Sequence, residues 1–310
     1  MKSVNTQIEI VEHNINIDNL LDRFVKYVDI SDSSIRSYVS GIRAFLKYTS
    51  ENSINNPTRE TVIDYKKYLS QNKSTSTIAL YLSSLRRFFS WTASEGLYPD
   101  VTAGIKSPRI DTGHKKDCFT ASQIKSIISD IDRNGLKGKR DYALFCLISA
   151  TGLRTVEAMR ANIEDIRTVY GEKCLFVQGK GKTSKGDFVK LSQPVMEAIT
   201  IYLQARGDVE PDAPLFASLS HRNFGKRMTT YSISRICKSA MRHSGFNTSK
   251  LTAHSLRHTA ITLALLQGIS LQDVSQFARH SNIAITMIYA HDVERIKSRC
   301  ENAISNAIFG

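Results

Sequence analysis

A chain of 310 residues is long for one hydrophobic core and comfortable for two. With 41% hydrophobic and 23% charged residues, it reads as an ordinary globular protein, and no apolar run approaches the ~18 to 20 residues of a membrane helix. The formal net charge of +13 points to a polyanionic partner, nucleic acid first, because a basic surface releases counterions when it neutralises phosphates.

The excess is uneven. Residues 1–112 carry 14 Lys and Arg against 12 Asp and Glu, whereas residues 113–310 carry 28 against 17. Cys118, Cys146, Cys174, Cys237 and Cys300 are scattered and form no CxxC pair, so neither a disulfide framework nor a zinc ribbon is expected. The opening residues lack the basic stretch and apolar core of a secretory signal, so a cytoplasmic protein is expected.

In chain order, the first hundred residues predict helices joined by short polar turns. "IDNLLDRFVKYV" and "SIRSYVSGIRAFLKYTSE" repeat apolar residues at three and four spacing, the second with Ile35, Tyr38, Val39, Ile42, Phe45 and Leu46 on one face. A third helix is expected from near Thr58 through "VIDYKKYLSQN", and a fourth, "STIALYLSSLRRFFSWTASEG", ends at Gly96. From about Leu97 to Phe119 two prolines, two glycines and non-periodic charges predict a linker, giving an N-terminal helical domain over 1–112 and a second domain over 113–310.

"TASQ" at 120–123 fits a capping box and opens the second helical series, with helices expected near 120–133, 139–151 and 155–161. "KCLFVQGKGKTSKGDFVKLS" predicts two strands about a Gly/Lys/Ser turn. Helices are then expected near 193–206, 231–244, 255–267, 271–279, 282–289 and 293–308. The fold class is therefore mainly α with a small β-sheet.

Several short segments hold chemistry-bearing residues. "ATGLRTVEAMRA" places Arg154 at a helix start with Glu157 one turn on, a spacing at which a carboxylate orients a guanidinium. "VQGKGKTSKG" fails the Walker pattern, since Phe176 stands where the first Gly is required, and is left as a lysine-rich turn able to set an ammonium at a phosphate. In "LTAHSLRHTAITLALLQG", His254 and Arg257 share a helix face. His254 and His258 have the i, i+4 spacing of a metal pair, but no third ligand is evident and no metal site is expected. "ARHSNIAITMIYAH" supplies His280 and Tyr289, whose nine-residue separation requires a turn near Ser281–Asn282.

The ordered set of Arg with Glu, Lys on a β-turn, His-x-x-Arg, His and then Tyr resembles the tyrosine recombinase (phage integrase) family, of the Xer-like kind, from about residue 15 to the end. By this resemblance Arg154, Lys180, His254, Arg257, His280 and Tyr289 fall on the family's catalytic positions and Glu157 on its acidic accessory position. The resemblance implies an N-terminal helical core-binding (SAM-like) bundle and a tyrosine-recombinase catalytic domain, closed around DNA as a clamp. It further implies cleavage of DNA through a 3′-phosphotyrosyl link, with Lys180 as general acid to the 5′-hydroxyl, His254 or His280 accepting the tyrosine proton, and neither ATP nor a metal ion required. The implied partner is double-stranded DNA with paired core sites. On it a homotetramer, alone or with a second recombinase, passes through a Holliday junction.

An arm-binding domain and a membrane partner are not expected. Type IB topoisomerases share much of this residue set, and a non-catalytic DNA-binding protein of the same fold is the other alternative.

Residues expected to touch DNA are Arg36, Arg43, Arg86, Arg87, Lys182 and Lys185. The family commonly has Gly where this chain has Arg279, which is expected to add a phosphate contact and to alter the local backbone. In the tail, Val293, Ile296, Cys300, Ile304 and Ala307 lie near one face of an amphipathic helix, which the resemblance casts as docking into a neighbouring protomer.

Overall fold

The computed structural model describes residues 17–109, 117–179 and 181–309. The chain divides into two compact units, Met1–Asp111 and Thr112–Gly310, each described by itself.

The first unit contains α1 (Ile17–Tyr27), α2 (Asp32–Glu51), α3 (Arg59–Asn72) and α4 (Thr75–Ser94). Thr58 caps α3 by accepting from Thr61 N, and Ser74 caps α4 by accepting from Thr77 N. Each cap satisfies an amide that a helix start would leave unpaired. The apolar faces meet in an aromatic core of Phe24, Phe45, Tyr65, Phe88, Phe89 and Trp91. Phe24 and Phe88 pack edge to face at 5.5 Å, and Phe45 and Tyr65 at 5.1 Å.

The stretch from Leu97, expected to begin a linker, is held on this bundle as far as Ser107. Ile105 is buried in the aromatic core, Tyr98 Oη donates to Pro57 O at 2.8 Å, and Arg86 Nη2 donates to Ile105 O at 2.8 Å and Ser107 Oγ at 2.9 Å. Residues 110–116 of the expected linker lie outside the described residues.

In the second unit, the amide of Phe119 donates to Thr259 Oγ1 at 2.9 Å while its ring joins the main core. The "TASQ" box is formed at α5 (Ala121–Asp130): Thr120 N donates to Gln123 Oε1, and Gln123 N to Thr120 Oγ1. Then come α6 (Gly135–Thr151) and α7 (Thr155–Arg160). A three-stranded antiparallel sheet of order β1-β2-β3 follows, formed by Ile166–Val169, Glu172–Val177 and Asp187–Lys190. Strands β2 and β3 are the predicted pair. Strand β1 was absent from the sequence expectation; its four residues pair with β2 across the Tyr170–Gly171 turn, Val169 opposite Glu172.

The remaining helices are α8 (Gln193–Arg206), α9 (Thr230–His243), α10 (Ala253–Leu266), α11 (Leu271–Ala278), α12 (Ala284–Lys297) and α13 (Cys300–Phe309). The main core gathers Leu144, Phe145 and Ile148 of α6, Ile199 and Tyr202 of α8, Ile233 and Cys237 of α9, and Leu256 of α10. A smaller cluster joins α10, α11 and α12 through Ile261, Leu265, Val274, Ala278, Tyr289 and Val293.

The end of the chain corrects two expectations. The expected helix over 282–289 runs on to Lys297, and the expected helix over 293–308 is split near Ser298, leaving α13 from Cys300. Val293 is therefore buried on α12, whereas Cys300, Ile304 and Ala307 are exposed on α13. One amphipathic face across all of them does not exist, because the helix axis is interrupted between them.

Candidate active site

The site forms where three helix ends meet. Helix α6 stops at Gly152, which adopts a left-handed φ of 60° and returns its amide to Ile148 O at 3.0 Å. Such a turn is inexpensive only for glycine. It brings Arg154 to the N-cap of α7, where Glu157 stands at the third helical position. The Glu157 carboxylate accepts from Arg154 N at 2.8 Å and from Arg154 Nη1 at 2.9 Å. One carboxylate thus caps the helix and orients the guanidinium, as the R-x-x-E spacing predicts.

Glu157 is fully buried and accepts from a third donor, Arg279 Nη2, at 2.9 Å. Burial pushes its pKa up, but the charge of Arg279 and hydrogen bonds from Arg154 and Arg279 outweigh this, and the pKa is lowered. Arg279 closes α11 in the left-handed region, with φ 53° and ψ 47°. That conformation costs a non-glycine residue about 1–2 kcal/mol. The ion pair offsets it, since an unpaired buried carboxylate costs more. The Arg279 side chain is buried and also donates to Phe277 O at 2.7 Å, while its Nε has no hydrogen-bond partner among the described residues.

Arg257, on α10, is 2% exposed and ties these ends together. Its Nη1 donates to Gly152 O at 2.7 Å and its Nη2 to Ala278 O. Both acceptors are carbonyls at helix C-termini, where partial negative charge favours a cation. Burial, and then the nearby Arg154 and Arg279, lower the Arg257 pKa.

His254 is exposed on α10 and shares with Arg154 a cavity of about 290 Å³ that Thr155, Ser234 and Thr252 also line. His280 follows α11, and its Nδ1 lies 2.8 Å from Thr286 Oγ1. Burial and then the charges of Arg257, Arg154 and Arg279 lower its pKa to about 4, so its ring is neutral at pH 7.

Tyr289, on α12, is 4% exposed. Its ring stacks against His280 with centroids 6.2 Å apart, and its Oη lies 2.6 Å from Nδ1 of His258. Burial raises the phenol pKa to about 12, although Arg257 and Arg154 pull it down. Asn282 holds the intervening turn by accepting from Ala284 N at 2.9 Å. On α12, Ile285 and Met287 are exposed, whereas Thr286, Tyr289 and Val293 are buried.

Of the residues expected to be catalytic, Arg154, His254, Arg257, His280 and Tyr289 lie in the second unit around these helix ends. Lys180 falls outside the described residues. The turn that carries it is braced on either side: Arg160 Nη1 donates to Gly179 O at 3.1 Å and Gln178 Nε2 to Lys182 O at 2.7 Å.

In sequence, His258 stands out only for its i, i+4 spacing from His254, and the two rings meet at 4.5 Å edge to face. Its approach to Tyr289 depends on how α12 packs over α10, which local spacing does not encode. The contact of Thr286 with His280 is hidden from local sequence for the same reason.

The residues expected to touch DNA divide into two sets. Arg36 and Arg87 are exposed, as is Arg43, which pairs with Asp18 at 2.8 Å. Lys182 pairs with Asp187 at 2.6 Å, Lys185 with the buried Asp165 at 2.5 Å, Arg86 holds the 105–107 segment, and Arg279 is buried.

Residues 117–295 match the phage integrase family, and residues 21–96 match its N-terminal SAM-like domain. A tyrosine recombinase XerA of Pyrococcus furiosus is 28% identical over 297 residues, covering 94% of this chain and 96% of that protein. In fold, the chain is similar to XerH site-specific recombinase bound to palindromic difH substrate in a post-cleavage complex. That match has a TM-score of 0.73 at 21% identity over 93% of this chain and 84% of the other. It is also similar to a lambda integrase tetramer bound to a Holliday junction, with a TM-score of 0.66 at 16% identity over 89% and 78%. With its catalytic and N-terminal regions both matched, the chain belongs to the phage integrase family, the tyrosine recombinases.

Proposed function

We propose that this protein is a site-specific recombinase in which Tyr289 attacks a DNA phosphodiester, forming a 3′-phosphotyrosyl link and releasing a 5′-hydroxyl. The observation that carries the reading is the Tyr289 phenol, buried among His258, His280 and the charges of Arg257 and Arg154. A phenol is a poor nucleophile at neutral pH, so positive charge and a base beside it are what the chemistry requires.

In this reading Arg154 and His254, which face one cavity, bind the non-bridging oxygens. Arg257 contributes guanidinium hydrogens left over from its two carbonyl bonds, since each terminal nitrogen carries two. Glu157 orients Arg154. Lys180 is the general acid that the resemblance assigns. Because Tyr289 is 4% exposed, the scissile phosphate reaches its hydroxyl only when part of its cover opens.

The finer reading is a homotetramer on two DNA duplexes, joined by paired core sites and exchanging strands through a Holliday junction. It is supported by α13, which buries none of its described residues and exposes Ile304, Ile308 and Phe309. A helix with this composition has apolar surface to place against another protomer.

The test begins by recovering binding sites from a random duplex library and pairing two such sites on one DNA. Recombined product supports the reading, whereas relaxation of supercoiled plasmid lacking the site, without recombination, identifies a topoisomerase.

A further inference from the structure

The geometry points to His258 as the group that takes the phenol proton of Tyr289 when its oxygen attacks phosphorus, an inference that rests on the tyrosine-nucleophile reading above. The sequence resemblance gives this role to His254 or His280, and the arrangement of the rings favours their neighbour. His258 Nδ1 lies 2.6 Å from Tyr289 Oη, and both residues are buried. That is the heavy-atom distance at which a general base receives a proton. With the ring hydrogen on Nε2, Nδ1 has its lone pair free to accept the phenol O–H.

The other histidines are differently engaged. The His280 Nδ1 is 2.8 Å from Thr286 Oγ1, and its ring lies roughly parallel to Tyr289 at 24°. Its pKa near 4 also makes it a weak base. His254 presses on His258 edge to face at 4.5 Å, which restrains the His258 ring. Arg154, Arg257 and Cys118 are charged or titratable groups that also influence Tyr289. The two arginines favour the phenoxide that loss of the proton creates.

The step balances. The Tyr289 Oη–H bond breaks and its proton goes to His258 Nδ1; the Oη–P bond forms as P–O5′ breaks. The bonding pair leaves on O5′, which is protonated by the general acid that the resemblance places at Lys180. In rejoining, the imidazolium of His258 returns its proton to Tyr289.

The experiment measures single-turnover formation of the covalent adduct on a recovered site nicked next to the cleavage position. The proteins compared are the unmutated chain, His258→Ala, His258→Asn and Tyr289→Phe. Asn presents an oxygen near the Nδ1 position without the basicity of imidazole, so it keeps a hydrogen-bond acceptor. Binding of the same duplex by both His258 variants checks that they are folded. We expect adduct formation to slow about 10²-fold in both variants with binding unchanged, and added imidazole to restore His258→Ala by tenfold or more.

Cleavage by His258→Ala or His258→Asn within about threefold of the unmutated rate, with Tyr289→Phe inert, overturns the role of His258 and leaves the nucleophile standing. Faster cleavage, or a loss that imidazole does not rescue, also overturns it, marking a latch or a packing contact. An unmutated chain that forms no adduct on DNA it binds overturns both readings.

Discussion

At the scale of residues, the site depends on a carboxylate with two cationic partners. Replacing Glu157 by Ala strands Arg154 and the buried Arg279, so a loss of about 3–5 kcal/mol in urea unfolding is expected. Arg279 itself was legible only in part. Its departure from the family's glycine was visible in sequence, but a phosphate contact was expected, and the side chain instead lies buried against Glu157. Arg279→Ala removes the ion pair and keeps the left-handed cost, whereas Arg279→Gly removes both. The Ala variant should therefore be the less stable of the two by about 1 kcal/mol, and equal unfolding midpoints would contradict the role of the backbone.

His280 gives a pH dependence at the same scale. Its folded pKa of about 4 lies below the ordinary 6.5, so the unfolded chain binds the extra proton between those values. Stability contributed by the neutral ring is thus present above about 6.5 and lost as pH falls through about 4. The unfolding midpoint should fall further between pH 7 and pH 4.5 for the unmutated chain than for His280→Gln. Equal falls would show that His280 is not held neutral.

At the scale of elements, long periodic segments are legible in the sequence and short or context-dependent ones are not. α2 and α4 carry enough apolar repeats to define a face, and their ends have cap residues that sequence displays. β1 has four residues, too few for alternation to register, and forms because β2 supplies its partner. The break after Lys297 leaves no mark in the sequence, since "VERIKSRCENAISNAIF" keeps an acceptable helical period straight through Ser298. Because α13 buries none of its described residues, ending the chain after Ser298 should shift the thermal midpoint by less than about 2 °C. The same truncation should abolish assembly beyond the DNA-bound monomer, as read by sedimentation. A large loss of stability would mean that α13 covers its own unit.

At the scale of the whole molecule, the charge of +13 and the family assignment both lead to duplex DNA. If six to ten phosphates are neutralised, affinity should drop about 10³–10⁵-fold between 50 and 200 mM salt. An affinity that is flat over this range would remove the electrostatic part of the account. The order of Arg, Lys, His-x-x-Arg, His and Tyr was legible along the chain, yet the meeting of Arg154, Arg257 and Tyr289 requires α6, α10, α11 and α12 to converge. No local pattern specifies that convergence.

The most direct measurement is covalent trapping on a nicked recovered site, followed by digestion and mass spectrometry of the nucleotide-bearing peptide. With Tyr289 as the nucleophile, one adduct is expected, a 3′-phosphate on Tyr289, absent from Tyr289→Phe. An adduct on another residue, or cleavage that survives Tyr289→Phe, would contradict it.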